Sequence, residues 1–280
     1  MRGVYFLAND RVYEQAVAFL NSFRQHNPDV PLCLVPFADD VARVAALADR
    51  YDFTIWSDLA MLRRCDELSR RFHGEVLGQY RKVALWSGGY DEFVYVDCDT
   101  VVLRPVDFAL DLLSDYDVVA SHSDIPGIRR FVWRDSIMDT GALTAWQIRY
   151  AASTGFLASR RGVLDADRVC ADPTEALALA PHMALECSEQ PLLNYLIVTS
   201  GGRYSSLFTI ALRTRDRTMP QEVWAGSDLG EVSGGQVLPP PNHPSVLLVH
   251  WAGQWERVRR EGGDIPYRQL WEHYRSLAPR

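Results

Sequence analysis

Three observations predict an α/β fold with a mostly parallel central sheet flanked by helices. Short apolar runs of strand character alternate with segments of helical period through the first half of the chain. A strand–helix–strand series implies parallel strands covered by helices. The composition, 48 % hydrophobic and 23 % charged over 280 residues, is that of a globular protein with a large core.

Residues 3–8 (GVYFLA) read as the first strand. Val12, Ala16, Phe19, Leu20 and Phe23 fall at helical spacing, and Asn27-Pro28 ends that helix. Residues 32–36 are a second strand, 40–49 a helix, and Phe53–Trp56 a third strand. Residues 57–87 read as mostly helical, with Ser87-Gly88-Gly89 as the stop. Then come an apolar run, Phe93 to Val96, and further strands at 117–120 and 154–159. Residues 190–198 read as a helix, and 213–245, rich in Gly and Pro, as a loop. Ser245–His250 is a late strand and 264–277 a closing helix. No repeat or clear linker divides the chain, and its length allows one or two domains.

Several function classes are disfavoured. Lys plus Arg is 29 and Asp plus Glu 36, and a net charge of −7 argues against a general nucleic-acid binder. No stretch approaches the roughly 20 apolar residues of a membrane span, and the N-terminus reads as a strand rather than a signal peptide. Five cysteines, with no CxxC, give neither a disulfide framework nor a structural zinc site, so a reducing, cytoplasmic location is the default. No G-x-G-x-x-G follows the first strand and no GxxxxGK[ST] occurs, which removes the dinucleotide and P-loop signatures.

The most informative segment is Tyr95-Val96-Asp97-Cys98-Asp99-Thr100-Val101-Val102-Leu103. Residues i and i+2 of an extended segment point the same way. Asp97 and Asp99 would then face one point at the carboxyl end of a strand, where open α/β sheets place ligands. Two aimed carboxylates repel unless a cation lies between them, and hard Mg²⁺ or Mn²⁺ suits oxygen ligands. The plain alternative is a polar turn that ends a strand.

This segment resembles the YxDxDxxxL motif of GT-A glycosyltransferases, most like the glycogenin and bacterial lipopolysaccharide galactosyltransferase group (family 8-like). The resemblance implies a GT-A fold and a UDP-sugar donor whose diphosphate is held through Mn²⁺ (or Mg²⁺) on Asp97 and Asp99. It runs in order from Val4 to about Trp255 and implies a single domain over residues 1–280, with a nucleotide-binding half at about 1–105 and an acceptor- and sugar-binding half at about 106–280. By the same resemblance, Ala8-Asn9-Asp10 and Tyr13 would meet the uracil, and Lys82 would reach the donor site. Cys98 would lie in the donor-binding turn. Ser153-Thr154-Gly155 would line the sugar pocket, with Ser153 where the family has Asn. Glu189-Gln190 would stand beside the anomeric carbon, with Glu in place of Asp. His250 in His250-Trp251-Ala252-Gly253 would be a third metal ligand, with Gly253 backbone near the diphosphate. The family's following Lys is missing here, and Arg257 or Arg259 is the nearest substitute.

Each position has a structural alternative. Asn9 or Asp10 could cap a helix. Lys82 could lie on a solvated face, Glu189 could favour a helix N-terminus, and His250 could be a buried core histidine. Taken together, the expectation is a hexosyltransferase acting from a UDP-sugar on an unknown hydroxyl acceptor, retaining by resemblance. A sugar-phosphate nucleotidyltransferase is the alternative enzyme, and a non-catalytic nucleotide-sugar-binding protein the alternative outside catalysis. Asp124, Asp135 and Asp139 are candidate bases for an inverting route, with nothing in the sequence to select one.

Overall fold

The computed structural model describes residues 1–241 and 243–278. Its twelve described strands are β1 (Arg2–Ala8), β2 (Leu32–Pro36), β3 (Phe53–Ile55), β4 (Glu92–Val96), β5 (Thr100–Val102), β6 (Val118–Ala120), β7 (Phe156–Arg160), β8 (Tyr204–Ser206), β9 (Gln221–Trp224), β10 (Glu231–Ser233), β11 (Gln236–Leu238) and β12 (Val246–His250). Seven of them form the central sheet, in the order β3-β2-β1-β4-β7-β6-β8. All pairs are parallel except those of β7, which runs antiparallel to both β4 and β6. The fold is the expected mostly parallel α/β sheet flanked by helices, with one reversed strand at its middle.

Alternation along the strands builds a core on each face. Tyr5 and Leu7 of β1, with Phe93 and Tyr95 of β4, pack toward the helix Leu59–His73 and the segment 78–87. Val4, Phe6 and Ala8, with Val94 and Val96, pack the other way against Phe19, Leu20 and Phe23 of the helix Tyr13–His26. A strand with both faces covered must be apolar throughout, and β1 is buried from Gly3 to Ala8.

A second sheet, β5-β12-β9, stands beside the first. β12 runs antiparallel to β5, with His250 opposite Thr100, and parallel to β9, with His250 opposite Trp224. The closing helix Arg268–Ser276 packs on this side through Leu270 and Tyr274.

Some elements differ from the sequence expectation. The apolar run around Asp97 does not continue as one strand. It breaks at residues 97–99, and β4 and β5 belong to different sheets. The helix expected over 57–87 ends at His73, where Gly74 takes φ +75°, and residues 78–87 form 3-10 turns. Residues 40–49 give two short helices, Ala42–Ala45 and Ala48–Tyr51. The expected loop 213–245 contains β9 and the hairpin β10–β11. No helix among the described residues is long and apolar enough to cross a membrane. All five cysteines are free thiols.

Candidate active site

The turn Asp97-Cys98-Asp99 lies where the chain leaves the central sheet for the second one. Three contacts fix it. Asp97 N–H donates to the Gly155 carbonyl at 2.8 Å, Thr100 Oγ1 to the Asp97 carbonyl at 2.8 Å, and Trp251 N–H to the Asp99 carbonyl at 3.0 Å. The turn is thereby tied to the start of β7 and the end of β12.

His250 arrives as the last residue of β12, 4 % exposed. Its Nε2 is 3.1 Å from Asp99 Oδ1 and 3.8 Å from Asp97 Oδ2. Ligand atoms of Asp97, Asp99 and His250 all lie within 4.8 Å of one another, close enough for one ion. The two carboxylates therefore converge although the turn is bent rather than extended. The His250 imidazole is buried, which disfavours its charge, but Asp99 and Glu222 raise its pKa well above the usual value. Burial works against the Asp99 carboxylate too, and His250 nevertheless brings its pKa down.

Lys82 is 3 % exposed, not on a solvated face. Its Nζ is 2.8 Å from Glu189 Oε1 and 3.1 Å from Asp97 Oδ1, and donates to the Thr154 carbonyl at 3.3 Å. It also lies 4.7 Å from the centre of the Tyr95 ring, whose hydroxyl donates to Asp97. Burial opposes the ammonium, but Asp97 and Glu189 outweigh it and raise its pKa. Glu189, itself buried, has its pKa raised chiefly by desolvation despite Lys82. Neighbouring Arg81 serves the fold, making a two-pronged pair with Asp66 at 2.8 and 2.7 Å and a bond to the Pro36 carbonyl.

Glu189 and Gln190 reach the same place from the start of the helix Gln190–Thr199. Thr154 Oγ1 donates to Glu189 Oε1 at 3.1 Å, and Thr154 N–H to Gln190 Oε1 at 3.3 Å. Asn194, one turn on, bonds both the N–H and the carbonyl of Ala152. Ser153, Thr154 and Gly155 are all buried, and Gly155 lies directly against His250 and Asp97. The sequence-expected sugar-pocket segment, Glu189, Gln190, Lys82, Asp97, Asp99 and His250 thus share one cluster.

Ala8, Asn9 and Asp10 lie at the carboxyl end of β1. Asp10 accepts from the N–H groups of Arg43 and Val44 at 2.9 and 3.0 Å, at the start of the helix Ala42–Ala45. Asn9 donates to Asp40 at 3.1 Å, and the Arg43 guanidinium lies 4.2 Å over the Tyr13 ring. These side chains are engaged with the loop after β2. Gly253 takes φ +69° at the start of the helix Gln254–Glu261, so its backbone form is one that favours glycine. Arg259 pairs with Glu256 at 2.6 Å, and Arg257 donates to Gln254 at 2.9 Å. Asp135 and Asp139 are exposed. Asp124 sits at φ +61°, held by Ser123, Thr209 and Arg149.

One site residue escaped the sequence reading. Glu222 of β9, 2 % exposed, accepts from His250 Nδ1 at 2.5 Å and from Ser121 Oγ. His122 Nδ1 stands 3.7 Å away. Burial disfavours the carboxylate, but the His122 and His250 imidazoles hold its pKa below the ordinary range. The only signal was Gln221-Glu222-Val223-Trp224, a short strand-like run inside a Gly- and Pro-rich segment.

With its sheet order and the turn between two sheets, the chain has the fold of the GT-A glycosyltransferases. Its structure is similar to that of the galactosyltransferase LgtC in complex with donor and acceptor sugar analogs, at TM-score 0.62 and 15 % identity, over 99 % of this chain and 96 % of that one. An active-site mutant of LgtC matches at TM-score 0.52 and 14 % identity, over 98 % of this chain and 100 % of that one. The apo bifunctional glycosyltransferase WbbM matches at 0.53 and 13 %, over 99 % of this chain and 50 % of that one. No protein-family model and no curated protein sequence matches the chain.

Proposed function

We propose that the chain is a metal-dependent glycosyltransferase that moves a hexose from a UDP-sugar to an acceptor hydroxyl, with retention of anomeric configuration. The observation that carries the reading is the meeting of Asp97, Asp99 and His250 at the junction of two sheets. The partly exposed Asp97 and Asp99 and the buried Glu189 and Glu222 crowd one region, and Lys82 is the lysine that pairs among them. Such a cluster calls for a cation, and two carboxylates with one imidazole suit Mn²⁺. When bound, a divalent ion would neutralise the diphosphate and stabilise UDP as a leaving group.

The chain's own residues divide the remaining work. Asp97, Asp99 and His250 hold the ion. Lys82 fixes Asp97 and Glu189 relative to each other. Ser153, Thr154 and Gly155 line the sugar pocket, with Glu189 and Gln190 beside the anomeric carbon as polar groups that favour oxocarbenium-like charge. Ala8, Asn9, Asp10 and Tyr13 receive the uracil, and backbone at Cys98 and Gly253 approaches the diphosphate. Residues 1–280 act as one catalytic unit, a reading supported by the near-complete mutual coverage with LgtC.

The test is a panel of UDP-sugars with and without Mn²⁺, read by UDP release and free sugar. Metal-dependent hydrolysis of one donor is expected. Pyrophosphate release from a nucleoside triphosphate and a sugar phosphate would instead identify a nucleotidyltransferase. Absence of any metal-dependent donor binding or turnover would overturn the reading.

A further inference from the structure

Glu222 is an unusual residue to place where it is. Its side chain is 0 % exposed, and taking a carboxylate out of water costs several kcal/mol before any partner is counted. An apolar residue would suit the strand equally well, since its β12 neighbour in register is Leu248. Successive same-face positions on a strand are two apart. Glu222 therefore lies diagonal to His250 across the β9–β12 pair, within reach of its ring.

Both carboxylate oxygens are occupied. Oε1 takes the Nδ1–H of His250 at 2.5 Å, and Oε2 takes the hydroxyl of Ser121, just past the end of β6. The central sheet thus clamps one oxygen while the other grips the imidazole. An ionised carboxylate has no hydrogen to give, so the hydrogen between them belongs to Nδ1. In a neutral ring the lone pair then lies on Nε2, the atom that faces Asp99 and Asp97 at 3.1 and 3.8 Å.

We propose that Glu222 is a positioning residue for the metal site: it fixes the tautomer and the angle of His250 so that Nε2 is presented as a ligand alongside Asp97 and Asp99. This rests on the metal-binding reading above. A carboxylate on the far nitrogen of a ligating histidine both orients the ring and makes its free nitrogen a stronger donor.

The test uses the full chain and Mn²⁺ alone, with affinity by calorimetry and histidine coordination by electron spin-echo spectroscopy. Glu222→Gln keeps the shape and removes the charge. Its Mn²⁺ affinity should fall about 10-fold or more, with a weakened histidine-nitrogen coupling and unchanged circular dichroism. In a His250→Ala background the same substitution should change affinity by less than about twofold, because it acts through the ring. Should Glu222→Gln fail to fold, Glu222→Asp keeps the charge but withdraws it by one methylene, and the same loss is expected. Wild-type affinity in the folded variant, or equal losses with and without the imidazole, would overturn this inference and leave the metal reading standing. Wild-type protein that binds no Mn²⁺ would overturn both.

Discussion

Gly155 and His250 occupy adjoining space that admits no further atom. A Cβ on Gly155 would stand 2.4 Å from His250 Cε1 and 3.0 Å from Asp97 Oδ2. The start of β7 and the end of β12 approach this closely only because residue 155 lacks a side chain. Gly155→Ala should displace the imidazole. The expected outcome is a stability loss of about 1–3 kcal/mol by urea unfolding, together with weaker Mn²⁺ binding by calorimetry. Full Mn²⁺ affinity in that variant would mean that His250 is not held where a ligand is needed.

Lys82 gives a separate prediction. It pairs at once with Glu189 and Asp97, and Glu189 is only 3 % exposed. Truncating one partner of a buried ion pair leaves the other charge stranded. Lys82→Met should destabilise the chain by about 3 kcal/mol. Adding Glu189→Gln should recover part of that loss, since it removes the stranded charge. Additive losses in the double variant, measured by denaturant titration, would show that the two residues are not coupled.

Much of the candidate site's clustering could be read directly from the chain, because its parts are local. The apolar run before Asp97, the Gln190 helix and the strand that ends in His250 each carry their own pattern. What could not be read is non-local. Nothing near Phe156 says that β7 runs antiparallel beside β4. Nothing near Thr100 says that β5 leaves for a second sheet. Lys82 has no local mark of burial, because its partners lie in the turn after β4 and at Glu189. Glu222 was hidden by the Gly and Pro around it, which signal turns even where a four-residue strand pairs with β12.

Asp10 separates two roles. Its carboxylate takes two backbone N–H groups at the start of the helix Ala42–Ala45. Asp10→Ala should cost about 1 kcal/mol as a lost cap. If the loop it secures also flanks the uracil, the donor KM should rise while kcat changes little. An unchanged KM would confine Asp10 to the cap.

Asp99→Asn keeps the shape of a ligand and removes its charge. Metal-dependent donor hydrolysis should lose several kcal/mol of transition-state stabilisation, seen as a fall in kcat/KM. The stereochemical reading is checked on the same assay with an acceptor, by proton NMR of the product's anomeric signal. An α product from an α donor is expected, and a β product would reverse the assignment.

The break between β4 and β5 has a consequence for synthesis. Asp97 and Asp99 emerge from the ribosome early, whereas His250 follows after more than half the chain has been made. A nascent polypeptide can thus close the central sheet through β8 while Asp97 and Asp99 still lack His250. Contacts between residues so distant in sequence form slowly. If Asp97, Asp99 and His250 hold an ion as proposed, its capture would report that β12 has paired with β5.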